Sequence, residues 1–361
     1  MRSLRRILIA QPYGIGDGLL MTPLLRALRT IPTVEAVDLL LGSRTESVFQ
    51  NNPHVDQIFS IDKGKWHSSG KNVIFKELSS LWKNLRGRYD LLIDFSLQRE
   101  YGFYGMLLGI PRRIGFNFKG RGIFLTESLP LPKGFEGAHV VDLYCELGKL
   151  IGLEIEDRFL EFYLSEEDRK SVSQIPTPYL AVAPGGGESW GNDAVFKRWP
   201  VTHFVELLSR MKERMDFEAV VVLGSGGERE FGEELQRNLS QPVFNFCGEL
   251  SLGTSAALLE KSALFVANDG GLVHLARALH VPAIAFYGPV DPQVYGPYPP
   301  SPEAASIARE GLPCRPCYRR FRYNSACADR ECLTALTPGE ALQRLDTQKF
   351  WKFLNASKAS Y

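Results

Sequence analysis

Short apolar runs alternate with segments of helical periodicity along most of this 361-residue chain. The first half contains apolar runs at 7–10, 37–41, 57–61 and 91–95, and a helical pattern at 18–29. Short apolar runs separated by helices are typical of parallel strands that are buried on both faces of a sheet. The first half therefore predicts a Rossmann-like domain.

The same alternation begins again after a charged stretch with two prolines at 157–178, which we interpret as an interdomain linker. The second half predicts strands at 180–183, 219–223, 243–246, 264–267 and 283–287, with helices at 201–215, 228–239, 254–261 and 271–279. An amphipathic pattern predicts a final helix at 338–354. Chains of this length commonly fold as two domains, so the sequence predicts an α/β protein with two Rossmann-like domains.

Composition and charge exclude several classes of protein. The chain is 44% hydrophobic and 23% charged, and its formal net charge is +1. These values are typical of a globular protein and argue against disorder and against nucleic-acid binding. The first apolar run stops at Gln11-Pro12 without a cleavage pattern, and no run approaches the ~20 apolar residues of a membrane-spanning helix. We expect a cytoplasmic protein that is at most peripheral on the inner face of the cell membrane.

Basic and aromatic residues are concentrated between Lys63 and Arg88, where Glu77 is the only acidic residue. The members are Lys63, Lys65, Lys71, Lys76, Lys83, Arg86 and Arg88 with Trp66, Phe75 and Trp82, and Arg112, Arg113, Lys119 and Arg121 follow. The simpler interpretation is a solvated helix face. The alternative is a surface for a phosphorylated or anionic-lipid partner.

Four of the six cysteines lie close together near the end of the chain. Cys314, Cys317, Cys327 and Cys332 have the spacing C-x2-C-x9-C-x4-C, which is compatible with structural zinc. Free thiols or a redox-labile pair are the alternatives. We expect no catalytic role for them.

Two glycine-containing corners of the second half suit an anionic ligand, because ligands of open α/β sheets bind beyond the carboxyl ends of the strands. Asp269-Gly270-Gly271 follows the strand at 264–267, and His274 lies one turn into the next helix. Exposed amides at a helix N-terminus bind anions. The alternative is an ordinary N-cap with a packed histidine.

The other corner contains Gly185 and Gly186, with Lys197 eleven residues later. Exposed amides and a lysine are suited to a diphosphate, although a glycine turn with an exposed lysine is the simpler alternative. Glu228 follows another glycine-rich turn, where it either accepts hydrogen bonds from a ribose or caps a helix. Leu250 is expected to pack on a base.

The first half has one such corner, Gly14-Ile15-Gly16-Asp17. Leu19 stands where the third glycine of the G-x-G-x-x-G dinucleotide fingerprint is required, which argues against an NAD-dependent dehydrogenase. Asp17 is then either an N-cap or a general base that removes a proton from an attacking hydroxyl.

Taken together, these motifs resemble glycosyltransferase family 9, the ADP-heptose:lipopolysaccharide heptosyltransferases. The resemblance is carried by DGGLVHLA at 269–276, VP at 281–282, FYGP at 286–289, GIGD at 14–17, TPLLRAL at 22–28 and KRWP at 197–200. It covers both halves of the chain.

The resemblance implies a GT-B fold, in which two Rossmann-like domains face each other across a cleft. Residues 1–165 would form the acceptor-binding domain and residues 178–335 the nucleotide-sugar-binding domain, with a helix at 338–361 packing back on the first. It also implies inverting transfer without a metal or other cofactor. The expected partners are a nucleotide-sugar donor and a lipid-linked or phosphorylated saccharide acceptor, and no nucleic acid.

Site residues follow from the resemblance position by position. Asp17 would be the general base, Gly185, Gly186 and Lys197 would hold the diphosphate, Glu228 the ribose, Leu250 the adenine, and Asp269, Gly270, Gly271 and His274 the sugar and phosphates. The chain departs from the family at Gly270, where threonine or serine is usual, around Gly186, where threonines are common, and at His280, which replaces a common glycine. A nucleotide-sugar epimerase and an inactive nucleotide-sugar-binding protein are the alternative functions.

Overall fold

The computed structural model describes residues 4–62, 79–172, 175–187, 191–324 and 326–358. The chain forms two compact units. The first comprises Met1–Glu136 and Val140–Arg158, and the second comprises Gly137–His139 and Phe159–Tyr361. Each unit contains a six-stranded parallel sheet with helices, as the sequence predicts.

The first sheet has the strand order β3-β2-β1-β4-β5-β6, which is the Rossmann order. Its strands are β1 (Arg6–Gln11), β2 (Ala36–Gly42), β3 (Gln57–Ile61), β4 (Leu91–Asp94), β5 (Arg112–Asn117) and β6 (Glu127–Pro130). The accompanying helices are Ile15–Leu20, Thr22–Leu28, Glu46–Phe49, residues 79–85, Arg99–Leu107 and Val140–Lys149, with 3-10 turns at Ser43–Thr45 and Arg121–Phe124. The central strands β1 and β4 are almost wholly apolar and buried, because helices cover both faces of the sheet.

The second sheet has the order β12-β11-β10-β7-β8-β9, which is the same topology counted from β7. Its strands are β7 (Tyr179–Ala183), β8 (Ala219–Val222), β9 (Val243–Asn245), β10 (Leu264–Asn268), β11 (Ala283–Tyr287) and β12 (Ala304–Ala308). The helices are Glu166–Lys170, Val201–Met211, Arg229–Asn238, Leu252–Glu260, Gly271–Ala278, Pro292–Tyr295, Glu331–Thr334, Pro338–Thr347 and Phe350–Lys358, with 3-10 turns at Gly191–Lys197 and Gly226–Glu228. Strand order reverses between β7 and β10, so their ends form the switch point at which ligands of such sheets bind.

Aromatic stacking fixes one face of the second sheet. The ring of Trp199 stacks on Phe286 of β11 with centroids 3.9 Å apart, and Phe204 packs edge-on against both rings. The indole nitrogen donates to the Leu336 carbonyl oxygen at 2.7 Å. Trp199 therefore holds the helix Val201–Met211 on this face and fixes the loop that carries its neighbour Lys197.

All the predicted strands are present, but three strands were missed: β5, which lies between β4 and β6, and the edge strands β6 and β12. The predicted helix at 18–29 begins earlier and is interrupted at Met21, followed by Pro23 in the first turn of the next helix. Strand β5 begins with Arg112-Arg113, which the sequence grouped with a basic surface. A search for apolar runs misses a strand that begins with two arginines, even though Arg112 is paired with the neighbouring strand.

The basic residues of the first unit are only partly described, and residues 63–78 lie outside the described ranges. Arg112 pairs with Glu127 on the adjacent strand at 2.7 Å and donates to the Leu150 carbonyl oxygen. Arg113 donates to the carbonyl oxygens of Phe124 and Ile110 at 2.7 and 2.6 Å. These two arginines therefore stabilise the sheet edge.

The last two helices pack within the second unit. The buried side chains Leu336, Leu342, Leu345 and Leu354 belong to the same apolar core as Val220 and Phe204. The expected packing of this segment on the first domain stays a prediction. Within the described residues, no helix is both long and apolar enough to span a membrane.

Candidate active site

The loops after β7 and β10 meet at the switch point of the second sheet. Gly186 has a φ of +78°, which favours glycine. A Cβ atom added to Gly270 would lie 2.9 Å from the Gly186 carbonyl oxygen. The absence of a side chain at Gly270 therefore lets the two loop backbones approach closely, while anion binding at this corner stays a prediction.

Lys197 and Asp269 form a buried ion pair at this corner. Lys197 ends the 3-10 segment Gly191–Lys197, and its Nζ lies 2.9 Å from Asp269 Oδ2. The two side chains are 8% and 7% exposed. A buried ammonium is retained only where a carboxylate or another anion compensates its lost hydration. Asp269 thus holds the ammonium group of Lys197 beside the glycine loops.

His274 lies in the first turn of the helix Gly271–Ala278, and 5% of its surface is exposed. Burial lowers the pKa of its imidazole to about 3, and the positive charges of His139 and Lys197 act in the same direction. The ring is therefore neutral at physiological pH. Its Nδ1 atom has no hydrogen-bond partner within the described ranges.

Glu228 links the loops after β7 and β8. Its Oε1 accepts from the Gly187 amide at 2.8 Å, and its Oε2 accepts from the Ser225 amide and hydroxyl at 2.8 and 3.0 Å. A Cβ atom at Gly185 would collide with this carboxylate. Glu228 therefore caps the turn Gly226–Glu228, as one sequence interpretation proposed, while its ribose-binding role stays a prediction.

Leu250 lies beyond the neighbouring loop and is half-buried. Gly248, two residues before it, has a φ of +77°, and a Cβ atom there would lie 2.5 Å from the Gly226 Cα atom. The loops after β8 and β9 are therefore packed backbone to backbone. This contact fixes where the Leu250 segment leaves the sheet edge.

Asn268 and Arg198 were missed by the sequence analysis, although both support the switch point. Asn268 Oδ1 accepts from the Trp199 amide at 3.0 Å, and its Nδ2 donates to the Pro184 carbonyl oxygen at 2.6 Å. Arg198 Nε donates to the Gly185 carbonyl oxygen at 2.7 Å. The sequence signal that could have identified Asn268 is its position: an amide side chain at the end of a buried apolar strand, directly before Asp269.

Asp17 lies in the other unit, after β1. It occupies the first turn of the helix Ile15–Leu20, and its Oδ2 accepts from the Gly14 amide at 3.3 Å. The side chain is half-buried. Burial raises the pKa of both Tyr13 and Tyr144, and the charge of Asp17 adds to this effect. Asp17 thus combines the N-terminal capping contact with an electrostatic effect on the buried Tyr144 phenol and the half-buried Tyr13 phenol. Its role as a base stays a prediction.

A second carboxylate at the same sheet edge was not singled out from the sequence. Asp94 is the last residue of β4, the neighbour of β1, and its Oδ1 accepts from the Ser96 amide at 2.8 Å. Burial raises the pKa of this carboxyl group to about 7. The charge of Asp94 adds to the effect of burial and of Asp17 on the pKa of Tyr13, so the two acids act on one phenol.

The four clustered cysteines are free thiols. Burial raises the pKa of the Cys332 thiol to about 11, with smaller opposing and reinforcing effects from Arg315 and the other three cysteines. Across the described ranges, no group of three or more His, Cys, Asp or Glu side chains is placed to hold a metal ion. The zinc interpretation of their spacing therefore lacks a preformed ligand cluster.

Comparison with known proteins establishes the family. Residues 78–323 match the family model described as glycosyltransferase family 9 (heptosyltransferase). The chain belongs to glycosyltransferase family 9. As a member of family 9 the protein is an enzyme, a glycosyltransferase, which confirms the resemblance drawn from its motifs.

Relatives of this family 9 chain match it almost end to end. Lipooligosaccharide heptosyltransferase 2 of Haemophilus influenzae is 26% identical over 360 residues, which cover 94% of this chain and 98% of that protein. The solved structure of Escherichia coli ADP-heptose lps heptosyltransferase II has a TM-score of 0.72 at 23% identity, with 98% and 99% of the two chains covered. Escherichia coli heptosyltransferase WaaC with ADP has a TM-score of 0.72 at 19% identity, with 95% and 99% covered. The family 9 chain has the GT-B fold that its motifs implied.

Proposed function

We propose that this enzyme transfers heptose from ADP-heptose to the core saccharide of lipopolysaccharide, with inversion at the anomeric carbon and without a metal ion. The observation that carries the proposal is the buried Lys197–Asp269 pair at the glycine-lined switch point of the second sheet. Relatives named as lipooligosaccharide or lipopolysaccharide heptosyltransferases and a structural neighbour described with ADP support the choice of sugar and nucleotide.

The second unit would bind the donor. Backbone amides around Gly185, Gly186, Gly270 and Gly271 and the ammonium of Lys197 would surround the diphosphate. Charge builds up on the diphosphate as the sugar leaves it, and fixed amides with a buried cation stabilise that charge best in the transition state. Lys197 and the N-terminus of the helix Gly271–Ala278 would thus supply the positive charge for departure of the leaving group.

The nucleoside of the donor would lie against the neighbouring loops. Glu228 would accept a ribose hydroxyl through the lone pair that its capping contacts leave available, and Leu250 would pack on adenine. Glu228 follows β8, which is adjacent to β7 in the sheet, and Leu250 follows β9, the next strand outwards, as expected for a nucleotide that extends along the carboxyl edge.

The first unit would supply the base. Asp17 would accept the proton of the acceptor hydroxyl as its oxygen forms a bond to the anomeric carbon, while the bond from that carbon to the phosphate oxygen breaks and ADP leaves. One displacement on the opposite face inverts the configuration. The reaction needs a single base, which agrees with the single carboxylate in the Gly14–Asp17 corner.

The acceptor would be phosphorylated or lipid-linked, and the protein would work in the cytoplasm, with a peripheral contact to the inner face of the membrane. The basic residues after Lys63 motivate this part, although most of them lie outside the described ranges. Lys83, Arg86 and Arg88 are described there, and Arg86 lies 5.5 Å from the centre of the Trp82 ring. Alanine at these three positions should weaken use of the acceptor and leave the dissociation constant of the donor unchanged.

The test is a thermal-stability series with ADP-, UDP- and GDP-linked sugars, followed by a transfer assay with the best ligand. A ligand that binds only the folded state raises the apparent melting temperature. We expect ADP-heptose to raise it most and heptose to appear on the saccharide acceptor. A larger effect of a UDP- or GDP-sugar would refute the donor, an isomerised sugar formed without acceptor would identify an epimerase, and binding without turnover would identify an inactive binding protein.

A further inference from the structure

The hydroxyl group of Tyr287 is a buried polar group that the fold leaves unsatisfied. Tyr287 ends β11 and is 0% exposed, and its hydroxyl has no hydrogen-bond partner within the described ranges. A buried hydroxyl without a partner costs about 1–3 kcal/mol, so native proteins seldom keep one without a use. Phenylalanine would fill the same apolar space without this penalty.

The phenol lies on the same face of the sheet as His274. Neighbouring strand residues point to opposite faces, and Phe286 is stacked on Trp199, on the face covered by the helix Val201–Met211. The connections β7–β8 and β10–β11 run in opposite directions along the sheet, so right-handed crossovers place their helices on opposite faces. Tyr287 therefore points to the face covered by the helix Gly271–Ala278, which carries His274.

Tyr287 also lies beside the proposed donor site. The Asp269 amide donates to the Phe286 carbonyl oxygen at 3.0 Å, so Tyr287 is the next residue after a direct contact with the signature acid. Burial raises the pKa of the Tyr287 phenol, and the charge of Asp269 adds to this effect. The phenol is therefore protonated and can donate a hydrogen bond.

The chemistry of these groups distinguishes a sugar from a phosphate. The Tyr287 hydroxyl and the neutral His274 ring carry no charge, whereas Lys197 carries the cation that a diphosphate requires. Sugar hydroxyls both donate and accept hydrogen bonds, as a phenol and a neutral imidazole do. The ammonium of Lys197 now occupies the space next to Asp269, and its movement towards a diphosphate would open that space to the sugar.

We propose that the Tyr287 hydroxyl binds a hydroxyl group of the donor sugar, next to His274 Nδ1, and is a specificity-determining residue of this enzyme. The proposal rests on the proposed function, since it requires a nucleotide-sugar donor at this switch point. It assigns a binding role to a residue that the sequence singled out only as part of the motif FYGP at 286–289.

The test compares Tyr287→Phe with Tyr179→Phe in titrations with ADP-heptose and with ADP alone. Tyr179 is a matched buried tyrosine in the same unit, but its hydroxyl already donates to the Leu258 carbonyl oxygen at 2.6 Å. We expect Tyr287→Phe to weaken binding of ADP-heptose about two- to tenfold, the value of one hydrogen bond, with binding of ADP unchanged. Thermal denaturation without ligand should show Tyr287→Phe to be at least as stable as wild type and Tyr179→Phe to be less stable with both affinities retained.

Unchanged binding of ADP-heptose by folded Tyr287→Phe would overturn the proposal, and so would an equal loss for ADP and ADP-heptose. If Tyr287→Phe does not fold, the wild-type protein decides: tighter binding of ADP-heptose than of ADP supports a sugar subsite, and equal binding overturns it. A separate variant distinguishes this outcome from a failure of the proposed function. If no nucleotide-sugar donor binds at this switch point, Lys197→Met leaves the binding of ADP itself unchanged.

Discussion

Lys197 Nζ and Asp269 Oδ2 lie 2.9 Å apart, and each of these side chains is more than nine-tenths buried. Removal of one member leaves an uncompensated charge in the interior, which costs about 3–5 kcal/mol. Lys197→Met should lower the free energy of unfolding by that order, measured by urea denaturation, and should also abolish the stabilisation given by ADP.

The matched control is the double variant Lys197→Met with Asp269→Asn, in which no buried charge is left unpaired. It should recover most of the lost stability without recovering ADP binding, and the coupling energy follows from the double-mutant cycle. A loss of stability in the double variant equal to the sum of the losses in Lys197→Met and Asp269→Asn would contradict a direct ion pair.

Asp94 predicts a pH dependence of stability. Burial raises the pKa of its carboxyl group to about 7, above the ordinary value of 3.8 that applies in the unfolded chain. The protonated carboxyl group then contributes fully to the free energy of unfolding below pH 4. This contribution, up to about 4 kcal/mol, is lost as the pH rises to about 7. Unfolding measured between pH 4 and pH 8 should show this decline in wild type and a flatter profile in Asp94→Asn. The same slope in both proteins would exclude Asp94 as its cause.

Glu228 predicts a dependence on the ribose hydroxyls. If the carboxylate accepts a ribose hydroxyl in addition to its capping contacts, wild type should bind ADP more tightly than 2′,3′-dideoxy-ADP, and Glu228→Gln should reduce that preference. Isothermal titration of both nucleotides to both proteins measures it. An equal loss of affinity for the two nucleotides in Glu228→Gln would mean that Glu228 acts only through the Gly187 and Ser225 contacts.

Gly270 predicts a steric limit at the site. A Cβ atom there would come within 2.9 Å of the Gly186 carbonyl oxygen, so Gly270→Ala requires the two loops to separate. Overpacking of this kind costs about 1–3 kcal/mol, and ADP binding should weaken with it. Gly339→Ala is the control, because its nearest neighbour is an Arg210 guanidinium nitrogen at 3.4 Å and alanine favours the helix by up to about 1 kcal/mol. Equal stabilities of the two variants would contradict a close loop contact.

The close contact at Gly270 also explains why this chain has glycine where the family pattern has threonine or serine. Threonine or serine is usual after the signature aspartate, and neither fits here while the β7 loop keeps its course. The change at Gly270 and the glycines around Gly186 are therefore linked. A side chain at Gly270 would require a different backbone at Gly186, whose own φ of +78° favours glycine.

Sequence patterns predicted the parallel strands that are buried on both faces, because such strands are continuous apolar runs. Strands such as β5 and the edge strand β12 were missed, since their charged or small residues lack that signal. The glycine corners were found because backbone approach requires glycine. Asn268, Asp94 and Tyr287 were not found as site residues, because their significance depends on burial and on unsatisfied or shifted polar groups, which a sequence does not display.

The Asp17 assignment followed from position and resemblance rather than from any property visible in the residue itself. A carboxylate in the first turn of a helix is most often a cap, and the contact with the Gly14 amide is of that kind. Only the acceptor reaction separates the two roles.

The most direct test is transfer of heptose from ADP-heptose to a heptose-acceptor lipopolysaccharide core, with wild type and Asp17→Asn compared at equal donor occupancy. The product is detected by mass spectrometry as the acceptor enlarged by one heptose residue. Wild type should form it, and Asp17→Asn, which keeps the size of the side chain but not its basicity, should bind ADP-heptose normally and transfer at least a hundredfold more slowly, as expected for loss of a general base. Undiminished transfer by Asp17→Asn would contradict the mechanism, and absence of product with wild type would contradict the proposed reaction.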